Sequence, residues 1–434
     1  MKKTLSMVMA IAMLLTSLVG FSSAVAEEKI KMNFSHLFVS TESFYDVIMP
    51  AVERFNAENP KYEIIIEEMP GDAYLAQTNA RGAAVDLAEI VMVNGTMMKA
   101  FSDSGAIIPL TDVVEKMDFE SKIKPGLLTV GTNLDDGIVY SLPIAAGTYG
   151  FILYNSEIFK EVGIDEFPKT LDELVAVGKK LSDAGYTPMG LGIKNLWPVD
   201  SLLFSAYVNN FVGTEWFNGI CKHDGSSSFN DPQFIRALTE IQNLAKAGLF
   251  NPDFVSIDHN ERMGMYLNRK VAMISAGDWE CKGVVEADEA LGDATMVATW
   301  PAPATDAAAT NSITLSAAWG IAFGSKITPE QKEGAEIFVK DYFFTQDSGR
   351  ILIEENNEFP SWIVDEYDAA SLTKPAVRLQ EQVATCTGCM NWDSSLDPTV
   401  KEVFQRGMQD LLIGNITPED LASDMQDEYE MVNE

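Results

Sequence analysis

The residues able to do covalent chemistry are few in this chain, and their spacing assembles no reaction centre. No G-x-S-x-G turn and no H-E-x-x-H pair occurs. "GTYGF" and "GMQDLLIG" lack the spacing of a phosphate loop. His36, His223 and His259 have no close partner in sequence that suggests a relay or a metal cage. The acidic pairs Glu67-Glu68 and Glu354-Glu355 read as solvated faces, whereas a glycosidase sets two carboxyls about 5 to 10 Å apart across a cleft. Cys386 and Cys389 have C-x-x-C spacing, but in a polar stretch rather than at a strand-to-helix turn. Cys221 and Cys281 are too isolated to complete a zinc site with them. A local disulfide or two reduced thiols is the expectation.

One stretch is arranged for contact instead. In "NRKVAMISAGDWECKGV", residues 268–284, the apolar run at 271–274 reads as a strand. It ends in Ser275-Ala276-Gly277, and Trp279 follows Asp278. The glycine permits a tight turn, and a large ring then stands just past a strand end. In open α/β sheets, ligands bind beyond the carboxyl ends of strands or between domains.

The elements that would position such a ring alternate along the chain. Residues 29–35, 62–68, 88–93 and 151–154 read as strands. Phe44, Val47, Ile48, Ala51, Val52 and Phe55 recur at helical spacing, with Pro50 expected to kink that helix or end its first segment. Residues 97–104 read as a helix stopped by Gly105. Asn155 or Ser156 can cap the helix that follows residue 154, and Thr170 with Glu173 forms a capping box. Asp231-Pro232, Thr328-Pro329 and Thr417-Pro418 are helix starts with proline at the first helical position. Residues 301–309, rich in Pro and Ala, read as a connector. This alternation predicts α/β domains with mainly parallel sheets covered by helices.

The 434 residues exceed what one core usually holds, so two or three domains are expected. With 64 acidic and 31 basic residues, the net charge of -33 repels nucleic acid and anionic lipid surfaces. A hydrophobic content of 47% belongs to a globular chain. Lys2, Lys3, the apolar stretch 7–21 and Ala24-Val25-Ala26 read as an export signal over residues 1–26. The apolar stretch is shorter than the roughly 20 residues of a spanning helix. No cysteine for lipid attachment ends the signal. An exported protein is expected, in the periplasm or at the outer face of the cytoplasmic membrane.

Four stretches in order resemble one known family. They are "AVERFNAENPKYEIII", the long segment from "DGIVYSLPIAAGTYGFILYNSEIF" through "FPKTLDELVAVGKKLSDAG", "NRKVAMISAGDW" and "GNITPEDLASDMQDEYE". The chain thereby resembles the family 1 extracellular solute-binding proteins, the sugar-binding components of ABC importers, with maltose-binding protein a distant relative. The resemblance implies a periplasmic-binding-protein fold: two α/β lobes hinged around a central cleft that closes on a solute. Residues 27–145 and 320–372 would form one lobe, and 146–319 and 373–434 the other. It implies a non-catalytic monomer with no cofactor, a small carbohydrate ligand, and the membrane subunits of an ABC permease as partner.

The resemblance also points to site residues. Trp279 matches the family's Gly-x-Trp position that packs on sugar, with Asp278 beside it as a hydroxyl acceptor. Trp197 and its polar companion Asn195 lie where the family often has an aromatic contact. Trp319 precedes a strand at a hinge crossing, where a cleft role and a packing role are equally open. His36, Asn94, Thr96, Thr148 and Tyr149 match contact positions of relatives, with Glu42 a weaker candidate. "NWDSS" adds Asn391, Trp392 and Asp393. Aromatic faces suit the C–H faces of a sugar, and amides and carboxylates suit its hydroxyls. The alternatives are a polyamine or other small organic solute, an exported carbohydrate-active enzyme, or an adhesin on the same scaffold.

Overall fold

The computed structural model describes residues 28–124, 126–303 and 311–432. The expected export signal and most of the expected connector at 301–309 lie outside the described residues. In chain order the strands are β1 (Ile30–His36), β2 (Tyr62–Glu68), β3 (Ile90–Val93), β4 (Thr132–Asn133), β5 (Ile138–Val139), β6 (Leu142–Pro143), β7 (Gly147–Asn155), β8 (Thr187–Gly190), β9 (Val271–Gly277), β10 (Thr295–Ala298), β11 (Ser312–Ser316), β12 (Gly320–Phe323) and β13 (Thr387–Cys389).

They build two main sheets, one in each lobe. The first is ordered β2-β1-β3-β12-β6. Strand β1 pairs parallel with β2 and β3, and β12 runs antiparallel between β3 and β6. The second is ordered β13-β11-β7-β9-β8, with β10 also beside β7. Strand β7 is antiparallel to β9, β10 and β11, while β8 and β13 run parallel to their neighbours. Each sheet therefore has one strand opposing all the others. In both, it is the strand that the chain enters on arriving from the other lobe.

Both sheets are covered by helices, because their strands are apolar on both faces. Met32 and Phe34 of β1 pack against Val47, Ile48 and Phe55 of the helix Tyr45–Glu58. In the second lobe, Ile152 and Met273 face Leu174, Leu181 and Ile241, while Phe151, Leu153 and Ile274 face Val284 and Leu379 on the other side. Successive residues of β7 thus enter different cores, as the strand period of two requires.

Local chemistry sets most helix starts. Capping boxes form at Thr170 with Glu173, Thr328 with Gln331 and Thr417 with Asp420. Asn155 accepts from the N–H groups of Glu157 and Ile158. Asp231 precedes its proline as expected but does not cap; its carboxylate takes the Trp216 indole N–H at 2.7 Å and the Ser228 N–H at 3.0 Å. The helix does not end at Pro50; one helix, Tyr45–Glu58, runs through it. Proline there forfeits one N–H bond, and the buried face of Val47, Ile48, Ala51, Val52 and Phe55 carries the helix past it. The four cysteines are free thiols, and Cys389 lies buried on the edge strand β13. No described helix is long and apolar enough to cross a membrane.

The chain passes between the sheets at neighbouring places. The Ile144 N–H donates to the Trp319 carbonyl at 3.0 Å, and the Ala146 N–H to the Phe359 carbonyl at 2.8 Å. Gly147 and Ser316 are register partners in β7 and β11. Three segments therefore lie side by side at the crossing.

Candidate functional site

Past the end of β9 the chain turns into the helix Glu280–Ala287, and Trp279 stands at the turn. Gly277 makes room for it. A Cβ at 277 would lie 2.2 Å from the Trp279 ring, so the indole folds back over the glycine. Trp279 meets Tyr149 at 5.4 Å between ring centroids and Trp197 at 6.2 Å, both tilted at 53°. Trp197 in turn meets the His259 ring edge-on at 4.9 Å. Both indoles are half-buried, so part of each remains open.

The strand beneath is shaped for this. The β7–β9 register shifts between Tyr149 and Phe151, and Gly150 at the shift has φ of 69°. Only glycine adopts that conformation without strain, and the bulge re-aims the neighbouring side chain. Asp278 ties the two strands together. Its N–H donates to the Thr148 carbonyl, and its carboxylate accepts from the Thr148 and Trp279 N–H groups, at 3.0, 3.0 and 3.1 Å. Burial pushes this carboxyl up to about 7. From the first lobe Lys124 and Glu358 face it. Burial lowers the Lys124 ammonium to about 8, and the nearby Asp278 charge opposes that shift. Burial, then the Asp278 charge, raises Glu358 to about 8, against a hydrogen bond donated by the Ser43 hydroxyl. The Lys124 ammonium also sits 5.2 Å from the Phe359 ring centroid.

A second meeting of the lobes lies on the other flank of the crossing, between the ends of β3 and β13. Asn94 caps the helix Gly95–Asp103, accepting from the Met97 N–H. Thr96 Oγ1 donates to the Asp393 carbonyl at 3.1 Å, and Lys401 Nζ reaches the same carbonyl at 2.7 Å and the Asp393 carboxylate at 3.1 Å. A groove of about 860 Å³ runs beside this contact, lined by Thr96, Asn133, His223, Leu315, Ser316 and Met390 among others. It contains no indole.

Residues 39–343 match the family described as bacterial extracellular solute-binding proteins. The chain belongs to that family. A binding protein of Brucella abortus is 24% identical over 94% of both chains. An ABC transporter extracellular-binding protein of Pyrococcus horikoshii is 32% identical over 32% of this chain and 31% of its own. The solved structure of a chitin oligosaccharide binding protein superposes with a TM-score of 0.84 at 22% identity, covering 94% of this chain and 100% of the other.

In this solute-binding protein the expected contact residues do not form one set. Trp279, Trp197, Tyr149, Thr148 and Asp278 gather on one flank, with Asn195 half-buried in the loop that carries Trp197. Asn94, Thr96 and Asp393 gather on the other. Trp319 is half-buried and packs on the first lobe's Phe38 and Tyr74, at 6.5 and 6.1 Å.

Six positions are corrected. Trp392 is 1% exposed and stacks on Phe217 at 4.7 Å and 6°, inside an aromatic core with Phe204 and Phe234. It is a core residue, and neighbouring Asn391 is buried against Ser201. His36 is fully buried beside Phe34, on the strand face that packs against the helix layer. Asp278 and Thr148 are buried, and the Asp278 carboxylate and the Thr148 backbone join β7 to β9 rather than lining an open surface. Gly277 has no positive φ; its use is close approach, not the turn expected of it.

Sequence reading missed Lys124, Glu358 and Phe359, which no motif marks. It also missed the buried ion pair of Arg262 and Glu280 beneath the indoles. The two partners stand on different elements, and nothing local joins them.

Proposed function

We propose that this protein captures a carbohydrate between its two lobes and delivers it to the membrane subunits of an ABC permease. We assign residues 27–145 and 320–372 to one lobe, and 146–319 and 373–434 to the other. The protein works as a monomer outside the cytoplasmic membrane and leaves its ligand unaltered. Only the closed form lets both lobes touch the solute, so binding shifts the hinged equilibrium toward closure.

The observation that carries the reading is the half-open pair Trp197 and Trp279, 6.2 Å apart on one lobe, with Lys124 and Glu358 of the other lobe facing the adjacent Asp278. Flat apolar surface beside hydrogen-bonding groups suits a ring with apolar C–H faces and a hydroxyl edge. The indole flank is preferred over the groove beside Thr96 because that groove is lined by no indole, only by the smaller rings of His223 and Tyr429. The structurally similar chitin oligosaccharide binding protein agrees in ligand class. A second reading, a cationic solute such as a polyamine, is favoured by the Glu358 carboxyl, which a bound cation would ionise.

A thermal-shift series with chitin, xylan and malto-oligosaccharides and with spermidine separates the two. A ligand at a hundredfold excess over its dissociation constant adds about 2.7 kcal/mol of stability. A saccharide should give the largest shift, and Trp279→Ala should remove it while leaving the unliganded melting point close to the wild type. A larger shift with spermidine, or a saccharide shift that survives Trp279→Ala, defeats the carbohydrate reading. Saccharide cleavage during incubation defeats the receptor reading.

A further inference from the structure

A buried ion pair lies directly under the two indoles and touches the supports of both. Arg262 and Glu280 have side chains 2% and 4% exposed, and the guanidinium pairs with the carboxylate. Arg262 belongs to the helix His259–Leu267, whose first residue carries the ring that meets Trp197. Its Nε donates to the His259 carbonyl at 3.3 Å, and Nη1 donates to the Ser275 carbonyl on β9. The other oxygen of Glu280 accepts the Gly277 N–H at 3.1 Å, at the residue over which Trp279 folds. Glu280 also opens the helix that follows Trp279, where the exposed N–H ends favour a carboxylate.

The stem of Arg262 is fitted just as closely to the segment leading to Trp197. A Cβ on Gly190 would lie 3.3 Å from Arg262 Cγ, and one on Gly192 would lie 3.1 Å from Arg262 Cβ and 2.3 Å from the Asp258 carbonyl oxygen. One side chain therefore abuts the end of β8, the end of β9 and the starts of two helices. These are the elements that present Trp197 and Trp279.

We propose that Arg262 and Glu280 are positioning residues: they fix the separation and tilt of the Trp197–Trp279 pair before any ligand arrives. The inference rests on the reading that these indoles hold the solute. A buried ion pair is a poor means of adding stability, because desolvation offsets much of the attraction, and apolar residues of similar volume often serve as well. What apolar residues lack is direction. The planar guanidinium bonds along fixed axes, and here those axes end at His259, Ser275 and Glu280. Geometry, more than stability, is what this pair supplies.

The test separates positioning from plain structural support. Two indoles at 6.2 Å couple excitonically, and the couplet is read by circular dichroism without ligand, assigned by its loss in Trp197→Phe. Arg262→Met should abolish the couplet and lower the melting point. The double variant Arg262→Met with Glu280→Met removes both charges; it should recover the melting point but not the couplet. If the single variant does not fold, the double variant carries the test. A couplet that persists in the double variant, or returns with its stability, overturns the proposal.

A chitin oligosaccharide serves as the affinity probe, and its binding to the double variant should weaken at least about tenfold, or about 1.4 kcal/mol. Wild-type affinity with the couplet gone overturns the link from positioning to binding, even where Trp279→Ala shows that the indole holds the solute. Failure of the wild-type protein to bind any saccharide strikes the carbohydrate reading instead, and leaves the couplet result standing.

Discussion

Alanine at position 277 would place a methyl group where the indole of Trp279 now lies. The ideal Cβ falls 2.2, 2.3 and 2.5 Å from three atoms of the six-membered ring. Carbon atoms rest at about 3.5 to 4.0 Å, so the ring must retreat by more than about 1 Å. The backbone itself accepts alanine, because Gly277 is not among the residues with positive φ. Fixing that residue should even stabilise the chain slightly, by about 0.4 to 1 kcal/mol through the unfolded state. The effect should therefore fall on recognition. If the displaced indole loses about 80 Å² of apolar contact with a solute, the loss is about 2 kcal/mol at about 25 cal/mol/Å², or roughly thirtyfold in affinity. Titration calorimetry measures the affinity, and a melting curve should show a change within about 3 °C. Affinity equal to wild type, with near-ultraviolet dichroism showing the indole moved, would refute the claim that its position governs binding. An unmoved indole would refute the packing argument.

Two further outcomes test the assignment of neighbouring residues. Trp392→Ala should cost about 3 to 5 kcal/mol in urea unfolding, as for large core aromatics, and leave affinity unchanged; lost affinity with intact stability would return Trp392 to the ligand site. Glu358 titrates at about 8 in the folded protein, against about 4.3 when unfolded. The folded state thus holds the extra proton between those values, so this group makes stability fall as pH rises from about 4 through 8. Glu358→Gln, which keeps an acceptor for Ser43, should narrow the difference in melting point between pH 5 and 8.5; an unchanged slope would show that this carboxyl is not held in a desolvating site.

What could be read in the sequence was what local chemistry decides. Thr170 and Glu173 form the capping box that the spacing predicts, and helices start after Thr328 and Thr417 as the following prolines predict, with Gln331 and Asp420 completing boxes there. The place of Trp279 just past a strand end was legible because a strand, a glycine and a ring follow one another directly. Depth was not legible. "NWDSS" reads as a polar loop, yet Trp392 is buried by Phe204, Phe217, Phe234 and Phe404, which come from well separated segments. The pairing of Arg262 with Glu280 and the contact of Thr96 with Asp393 are equally non-local. Pro50 failed as a helix breaker because burial of one helix face outweighs a single missing hydrogen bond.

The sheet topology explains why such distant residues meet at all. Strand β12 starts at the crossing and runs away from it, and every other strand of the first sheet runs against β12, toward the crossing. The same holds for β7 in the second sheet. All the remaining carboxyl ends of both sheets therefore point at the junction of the lobes. The loops after β8 and β9 bring Trp197 and Trp279 there, and the loops after β3 and β13 bring Asn94 and Asp393. The two pairs of loops lie on opposite sides of the crossing strands, so a hinge motion that narrows one side must widen the other. If the indoles hold the solute, as proposed, binding competes with the contact of Thr96 to Asp393 and Lys401 for the resting angle of the hinge. Lys401 and Asp393 pair within one lobe, so what crosses is the Thr96 Oγ1 bond to the Asp393 carbonyl at 3.1 Å and the Lys401 Nζ bond to Thr96 Oγ1 at 3.3 Å. Such hydrogen bonds contribute about 0.5 to 1.5 kcal/mol each, an amount that a stacked ligand can outweigh, so the opposing flank can tune closure without blocking it.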